Sequence, residues 1–357
     1  MRWKQRPEGS NWGDFGPDDQ LGRTNLIGPE QVRKGVAEVR EGLSFCLSLP
    51  LDFPGGNALN VRRHPPRLRP TKRDDVEYLN YPIGHLFPGA TDVVSDDQVL
   101  LSLQYSTQWD SFAHVGSLFD ADGDGTERVT YYNGFRGHEH VLGPVDHGLP
   151  SRGARYQPMC CAGRPADESV AKRLGIENLA VKGMQGRAVL IDIARVFGME
   201  FQDIGYEQLM HAMQVTGASV EPGDMVLLRT GFAELVLEMN RNPDPHKLHA
   251  SCAALDGGDP RLLQWITDSG ITALIADNYA VERHPPRNAP TDGSRYAVLP
   301  LHEHCLFKLG IPLGELWHLK ELADKLHELG RTRLLLTAPP LRLPGAVGSP
   351  VTPIATI

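Results

Sequence analysis

The stretch Gln104-Tyr-Ser-Thr-Gln108-Trp-Asp110-Ser-Phe-Ala-His114 sets two amides, a carboxylate and an imidazole within eleven residues, directly after the apolar run Val99-Leu-Leu-Ser-Leu. An apolar run that ends in side chains able to bind metal or move protons reads as a buried strand delivering chemistry at its C-terminal end. Side chains alternate along a strand, so Gln104, Ser106, Gln108 and Asp110 share one face of an extended chain. His114 lies four residues past Asp110 and reaches the same place once the chain turns or starts a helix. Stripped of chemistry, the stretch is a polar strand edge followed by a loop.

Downstream, short apolar runs ending in polar groups alternate with helical patterns. Arg187-Ala-Val-Leu-Ile-Asp-Ile, Met225-Val-Leu-Leu-Arg229-Thr-Gly231 and Ile271-Thr-Ala-Leu-Ile-Ala-Asp277-Asn278 read as buried strands. Helices are expected over residues 165–181, 206–216, 260–269 and 324–328, before a last strand, Arg333-Leu-Leu-Leu-Thr. That order predicts an α/β protein with its site at the strand ends. Upstream, Pro29 opens a helix through Val39, and Leu43-Ser-Phe-Cys-Leu-Ser-Leu alternates like a strand. A single domain over residues 1–357 is expected, with residues 1–30 as an ordered arm and the Pro-rich residues 339–357 as a tail wrapping the body.

Two Pro- and Arg-containing segments interrupt this pattern, residues 54–75 and 283–296. The first carries Arg62, Arg63, Arg67, Arg69 and Arg73, and reads either as a solvated excursion or as a loop over a site or subunit interface. Asp120-Ala-Asp122-Gly-Asp124-Gly resembles the first half of an EF-hand loop, but Tyr131 occupies the twelfth position, where a bidentate Glu is needed. An acidic turn is the expectation.

Composition narrows the function. The chain is 41% hydrophobic and 22% charged with a net charge of −8, and it has no basic block of the kind that tracks a phosphate backbone, so nucleic acid is not an expected partner. No run approaches the ~18 apolar residues of a membrane span. Five cysteines without CxxC spacing, and a start with no apolar signal core, point to reduced thiols in a cytoplasm. The GxSxG, GxxxxGK, HExxH and GxGxxG patterns are missing, which argues against a serine hydrolase, a P-loop enzyme, a zincin and a dinucleotide enzyme. A metal site remains. Asp110 is a hard ligand, His114 a ligand or base, and His302 or His304 with Glu315 offers the other half. The remaining histidines, His138, His140, His147, His211, His246, His249, His318 and His327, read as exposed or hydrogen-bonded.

The opening stretch resembles the motif of a cyclase family that includes bacterial kynurenine formamidase and isatin hydrolase. That signature reads His-x-Gly-Thr-His-x-Asp-x-x-x-His. Thr107, Asp110 and His114 match; Gln104 and Gln108 replace its first two histidines, and Ser106 its Gly. Asn11-Trp-Gly-Asp-Phe-Gly-Pro-Asp-Asp-Gln-Leu-Gly, Tyr132-Asn-Gly, Gly183-Met-Gln-Gly-Arg, Leu228-Arg-Thr-Gly and Leu301-His302 with Gly310-Ile-Pro-Leu-Gly-Glu315 are similar to segments of a longer branch.

The resemblance implies a mixed β-sheet or barrel-like core wrapped by helices, of the kynurenine formamidase-like, swivelling β/β/α type. It implies a hydrolase of an amide, lactam or ester/lactone bond in a small cyclic or aromatic compound, using manganese or zinc, assembled as a homodimer or homotetramer. By position, Gln104, Gln108, Asp110, His302 and Glu315 fall among the metal ligands, His304 offers a competing register, and His114 falls where the catalytic histidine sits. A Gln side chain binds metal only through a neutral amide oxygen, which favours manganese, magnesium or calcium over zinc. Trp12, Trp109 and Phe112, with the arginine loops, are expected to shape the substrate pocket. Two other readings stay open: a metal-independent lyase, cyclase or isomerase using Asp110 and His114, and a non-catalytic small-molecule binder.

Overall fold

The computed structural model describes residues 1–143 and 169–357. Nine strands share one mixed sheet. In chain order they are β1 (Ser44–Cys46), β2 (Gln108–Asp110), β3 (Gln185–Asp192), β4 (Met225–Arg229), β5 (Ala273–Ala276), β6 (Leu313–Glu315), β7 (Arg333–Thr337), β8 (Gly348–Pro350) and β9 (Ile354–Thr356). Across the sheet the order is β1-β9-β7-β3-β4-β5-β6-β2-β8. The centre, β3 to β6, is parallel, and the strands outside it on both sides are antiparallel. Ser48, just past one edge strand, bridges Trp317, just past β6 towards the other edge, so the sheet curls into a barrel-like half-cylinder.

Parallel strands need cover on both faces, and β3 shows how the sequence meets that demand. Val189 and Ile191 join one apolar cluster with Val226, Leu228 and Leu274, while Ala188 and Leu190 join another with Leu227, Ile275, Leu322 and Leu326. Helices α1 (Pro29–Val36), α2 (Glu177–Lys182), α3 (Tyr206–Thr216), α4 (Pro260–Asp268) and α5 (Lys320–Glu328) flank the sheet. Among the described residues no helix is long and apolar enough to cross a membrane.

Several expectations are corrected. The apolar run at 99–103 is not a buried strand. Asp97–Leu100 pairs with Arg67–Pro70 in a two-stranded ribbon that no layer covers among the described residues, which leaves Val99 48% and Leu100 69% exposed. The strand that carries the site is β2, and it is wholly buried. The segment 54–75 is therefore two things: its start runs past the site, and its end begins this ribbon. The expected helix at 165–181 begins only at Glu177; Val170–Ala171 pairs with Val141–Leu142, and Leu174 takes a φ of 63°, which breaks a helix there. Residues 165–168, Cys160, Cys161 and His147 lie outside the described residues. The helix from Pro29 stops at Val36, and α5 starts four residues before Asp324. The tail from Pro339 does more than wrap, because it supplies β8 and β9.

The N-terminal arm is bound into the core. The Trp12 indole Nε1 donates to Phe307 O at 2.7 Å, and the ring packs edge-on against Trp3, Phe119 and Phe307. Arg23 N donates to Gly310 O at 2.8 Å, so two glycine backbones meet face to face. Gly22 has a φ of +51°, and a Cβ there would stand 2.2 Å from Gly310 O. Gly22→Ala is expected to cost about 3 kcal/mol in urea unfolding, because backbone cannot move aside as a flexible side chain can. Gly9→Ala, at φ +71° with open space around it, isolates the conformational part, about 1 kcal/mol. Equal losses in the two variants would mean that the close approach does not matter.

Candidate metal and acid–base site

Strand β2 lies between β6 and β8, with Asp110 opposite Leu313 and Gly348, and Gln108 opposite Glu315 and Pro350. Alternation sends Trp109 to the far face, against Trp317, while Gln108 and Asp110 share the near one. Cross-strand pairing then lets Gln108 Nε2 donate to Glu315 Oε2 at 2.9 Å and reach Asp110 Oδ1 at 3.4 Å. Immediately after β2 the chain turns, with His114 N donating to Ser111 O at 3.0 Å. That turn returns the His114 imidazole to Asp110, its Nε2 3.8 Å from Oδ1.

The second half arrives from 200 residues downstream. His302 closes the helical turn Pro300–His302 and is buried. Glu282 fixes it: its carboxylate accepts from Leu301 N and His302 N at 2.9 Å each, and contacts His302 Nδ1 at 2.8 Å. With Nδ1 engaged there, Nε2 is the nitrogen left to face Glu315 Oε1, at 3.4 Å. Ligand atoms of Asp110, His302 and Glu315 all lie within 4.8 Å of one another.

Charge explains what this cluster attracts. Burial alone would push the His302 imidazole down, but the Glu282 and Glu315 carboxylates hold it up, to about 10. Burial and the Asp110 charge raise Glu315 to about 7 against the opposing pull of His302 and Arg63. Burial lowers His114 despite Asp110 beside it, helped by His302, Arg63 and Arg62. The centre is thus a concentration of negative charge that stabilises positive charge. Two buried acceptors, Asp110 Oδ2 and Gln108 Oε1, have no hydrogen-bond partner among the described residues. Two carboxylates, an imidazole and the orphaned Asp110 oxygen fit a divalent cation, with Asp110, His302 and Glu315 as the residues that would hold it.

Not every expected residue reaches this point. The Gln108 amide turns its NH2 to the carboxylates and its oxygen away. Gln104 precedes the strand, in a turn; its side chain rests against Gly348, and its carbonyl accepts from Arg63 Nη1 at 2.7 Å. His304 faces elsewhere, 2.9 Å from Thr267 Oγ1, because the helix rotates it away from His302. None of the three aromatics expected in the pocket lines it. Trp12 and Phe112 sit in one apolar cluster and Trp109 in the other, where large rings gain most from burial. The cavity, of about 350 Å³, has His114, His302 and Glu315 at its floor and Tyr105, Tyr279 and Arg63 among its walls. His249, read as an ordinary histidine, also lines it, with Nδ1 3.0 Å from the Tyr279 hydroxyl.

The acidic turn holds no such centre. Asp120 accepts from Gly123 N and Gly125 N at 2.8 and 2.7 Å, while Arg128 and Arg136 pair with Asp122.

Glu282 had no sequence signal, since no motif contains it and a long loop follows. Glu282→Gln replaces two acceptor oxygens with one and brings an NH2 against backbone N–H groups. Outer-sphere partners of metal-bound histidines are worth about 10–100-fold in metal affinity. That weakening is expected in a calorimetric titration with manganese. A lowered melting temperature of the metal-free protein with unchanged affinity would reduce Glu282 to a cap on the Pro300–His302 turn.

The mixed sheet and its buried carboxylate–imidazole centre define a class, α/β proteins with a carboxylate–imidazole cluster able to hold a cation beside a histidine. A family model described as "Putative cyclase" matches residues 47–283, and the chain belongs to that cyclase family. His302 and Glu315 lie beyond the matched span. A crystal structure described as a novel cyclase superposes with a TM-score of 0.68 at 29% identity, covering 98% of this chain and 97% of that one. Isatin hydrolase A from Labrenzia aggregata, bound to benzyl benzoate, has a TM-score of 0.51 at 15% identity over 91% of this chain and 97% of its own. Isatin hydrolase A from Ralstonia solanacearum has 0.50 at 14%, over 90% and 94%. These two share the fold. No curated protein matches the chain.

Proposed function

We propose that this protein is a metal-dependent hydrolase of an amide, lactam or ester/lactone bond in a small cyclic or aromatic compound. The observation that carries the reading is the meeting of Asp110, His302 and Glu315 within 4.8 Å, with His114 beside them at the floor of one cavity. A divalent metal supplies, when bound, polarisation of the substrate carbonyl and acidification of a water. His114, whose pKa burial lowers, takes the proton from the attacking water and returns it to the departing nitrogen or oxygen. Asp110 orients His114 and offers its second oxygen to the cation. Walls from Tyr105 and Tyr279 shed water and present flat surfaces to a ring. The cavity volume suits a small molecule rather than a polymer.

Manganese suits a centre with two carboxylates and one imidazole better than zinc does, and Gln108 adds no imidazole to change that. A metal-free lyase or isomerase would need only Asp110 and His114. It leaves the buried, unpartnered Asp110 Oδ2 without a purpose, which favours the hydrolase. The fold is shared with proteins named isatin hydrolases, and a lactam is accordingly among the substrates to screen.

The test is elemental analysis of tag-free protein exchanged against manganese, zinc and calcium, followed by a screen of aromatic amides, lactams and lactones with and without chelator. Near-stoichiometric metal and chelator-sensitive hydrolysis are expected. Product formation indifferent to chelator would move the protein to the metal-free reading, and no metal under any condition would end the hydrolase proposal.

A further inference from the structure

We propose that Arg62 and Arg63 form an anion subsite in the lining of the cavity, so that the substrate carries a carboxylate in addition to the bond that is cleaved. This rests on the hydrolase reading for the word substrate, but not for the binding itself.

The cavity lining carries charge of both signs. Glu315 lines it, with Asp110 and Glu282 behind, and Arg62 and Arg63 line the same cavity. Several arginines elsewhere in the chain are matched with acids. Arg128 pairs with Asp122 and Asp124, Arg187 with Glu221 and Asp224, and Arg229 with Asp192 and Glu234. Arg62 and Arg63 form no ion pair among the described residues, although the chain has 44 acids to 36 bases. Two adjacent guanidiniums left unmatched on an acidic protein, both facing a cavity, are complementary to an anion from outside.

Position is fixed as well as charge. The Tyr105 hydroxyl accepts from Gly55 N at 3.0 Å and donates to Gly56 O at 2.9 Å, tying the loop to the residue next to Gln104. Arg63 N donates to Asn60 O at 3.0 Å, and Arg62 N to Asn60 Oδ1 at 3.1 Å, closing a turn that presents both side chains. Arg63 uses Nη1 on Gln104 O, and its other N–H groups remain for a ligand. A planar guanidinium fork matches a carboxylate edge-on, and two adjacent forks match one carboxylate from two sides. Ring and carboxylate together fit a space of about 350 Å³, whose lining includes both arginines as well as His114 and Glu315.

The probes are benzoate and its neutral isostere benzamide, titrated calorimetrically into chelator-treated and manganese-loaded full-length protein. Inorganic phosphate serves as a third probe. Benzoate is expected to bind about tenfold tighter than benzamide in both forms, the gain of one charge-assisted contact. In the R62Q/R63Q double variant that ratio should fall to about twofold or less, and Arg62→Gln alone should lose part of it. Arg62 makes no side-chain hydrogen bond or ion pair among the described residues, so the single variant keeps the fold even where the double one does not. Equal binding of the two probes, a preference that survives R62Q/R63Q, a preference present only with manganese, or tighter binding of phosphate than of benzoate would each overturn the proposal. Failure of the hydrolase reading looks different. In that case the benzoate preference persists while no amide, lactam or lactone is turned over.

Discussion

Asp110→Asn should abolish metal binding while leaving the metal-free protein as stable as before or more so. Asp110 is fully buried in the middle of β2, held in register by β6 and β8, so the isosteric amide has room and backbone pairing is untouched. What changes is charge. One oxygen faces His114 and the Gln108 amide, and the other has no partner. A buried carboxylate with an orphaned oxygen is costly without a cation, so removing the charge relieves a penalty of about 1–3 kcal/mol. With a cation the sign reverses, because the centre loses one of its two anionic donors. Loss of a direct ligand should cost no less than loss of an outer-sphere partner, hence at least about 100-fold in manganese affinity. Hydrolysis should fall to background with it. Urea unfolding of chelator-treated protein and elemental analysis of exchanged protein read the two halves separately. Stoichiometric manganese in Asp110→Asn would show that β2 does not hold the metal.

That opposition between stability and function explains why some elements could be read from sequence and others could not. Strands β3, β4 and β5 are legible because they are buried on both faces and must be continuous apolar runs, as Val189 to Ile191 and Val226 to Leu228 are. Helix α3 falls at residues 206–216, where its pattern placed it, since Leu209 and Ala212 turn inward on one stripe. Strand β2 is the reverse case. It has three residues, two of them polar, and only its pairing with β6 and β8 makes it a buried strand. The apolar run just before it, Val99 to Leu103, carries the stronger local signal, yet among the described residues its ribbon has no layer to pack against. Local pattern reports apolar content, not whether a partner surface exists.

The site divides along the same line. Gln108, Asp110 and His114 stand out because chemistry-bearing residues are close in sequence, and the turn at Ser111 brings them together as the spacing requires. Residue chemistry alone offered His302 or His304 with Glu315 as the other half, and the family resemblance strengthened that pairing, since nothing local connects segments nearly 200 residues apart. The resemblance did not extend to Glu282. The aromatic pocket failed for a physical reason: Trp12, Trp109 and Phe112 lie within motifs, but rings of that size contribute most when wholly buried. The rings that do face the cavity are Tyr105 and Tyr279, whose hydroxyls hold the 54–63 loop and His249 in place.

His114→Ala should lower turnover by about 10²- to 10⁴-fold while metal content stays at the wild-type level. The geometry separates these two readouts. His114 lines the cavity but lies outside the cluster whose donor atoms converge, and it approaches that cluster at Asp110, with Nε2 3.8 Å from Oδ1. A base in that place is lost without loss of a ligand. The side chain is partly exposed to the cavity, so truncation opens space that water or a small molecule can enter rather than a dry void. Added imidazole should therefore restore part of the activity of His114→Ala and none of that of Asp110→Asn, because a diffusible base replaces a proton carrier but not a strand-held carboxylate. Retained activity in His114→Ala would remove the residue from the reaction. Lost metal would make it a ligand, and the proton would then have to travel by another group at the floor, of which Glu315, raised towards neutrality, is the candidate.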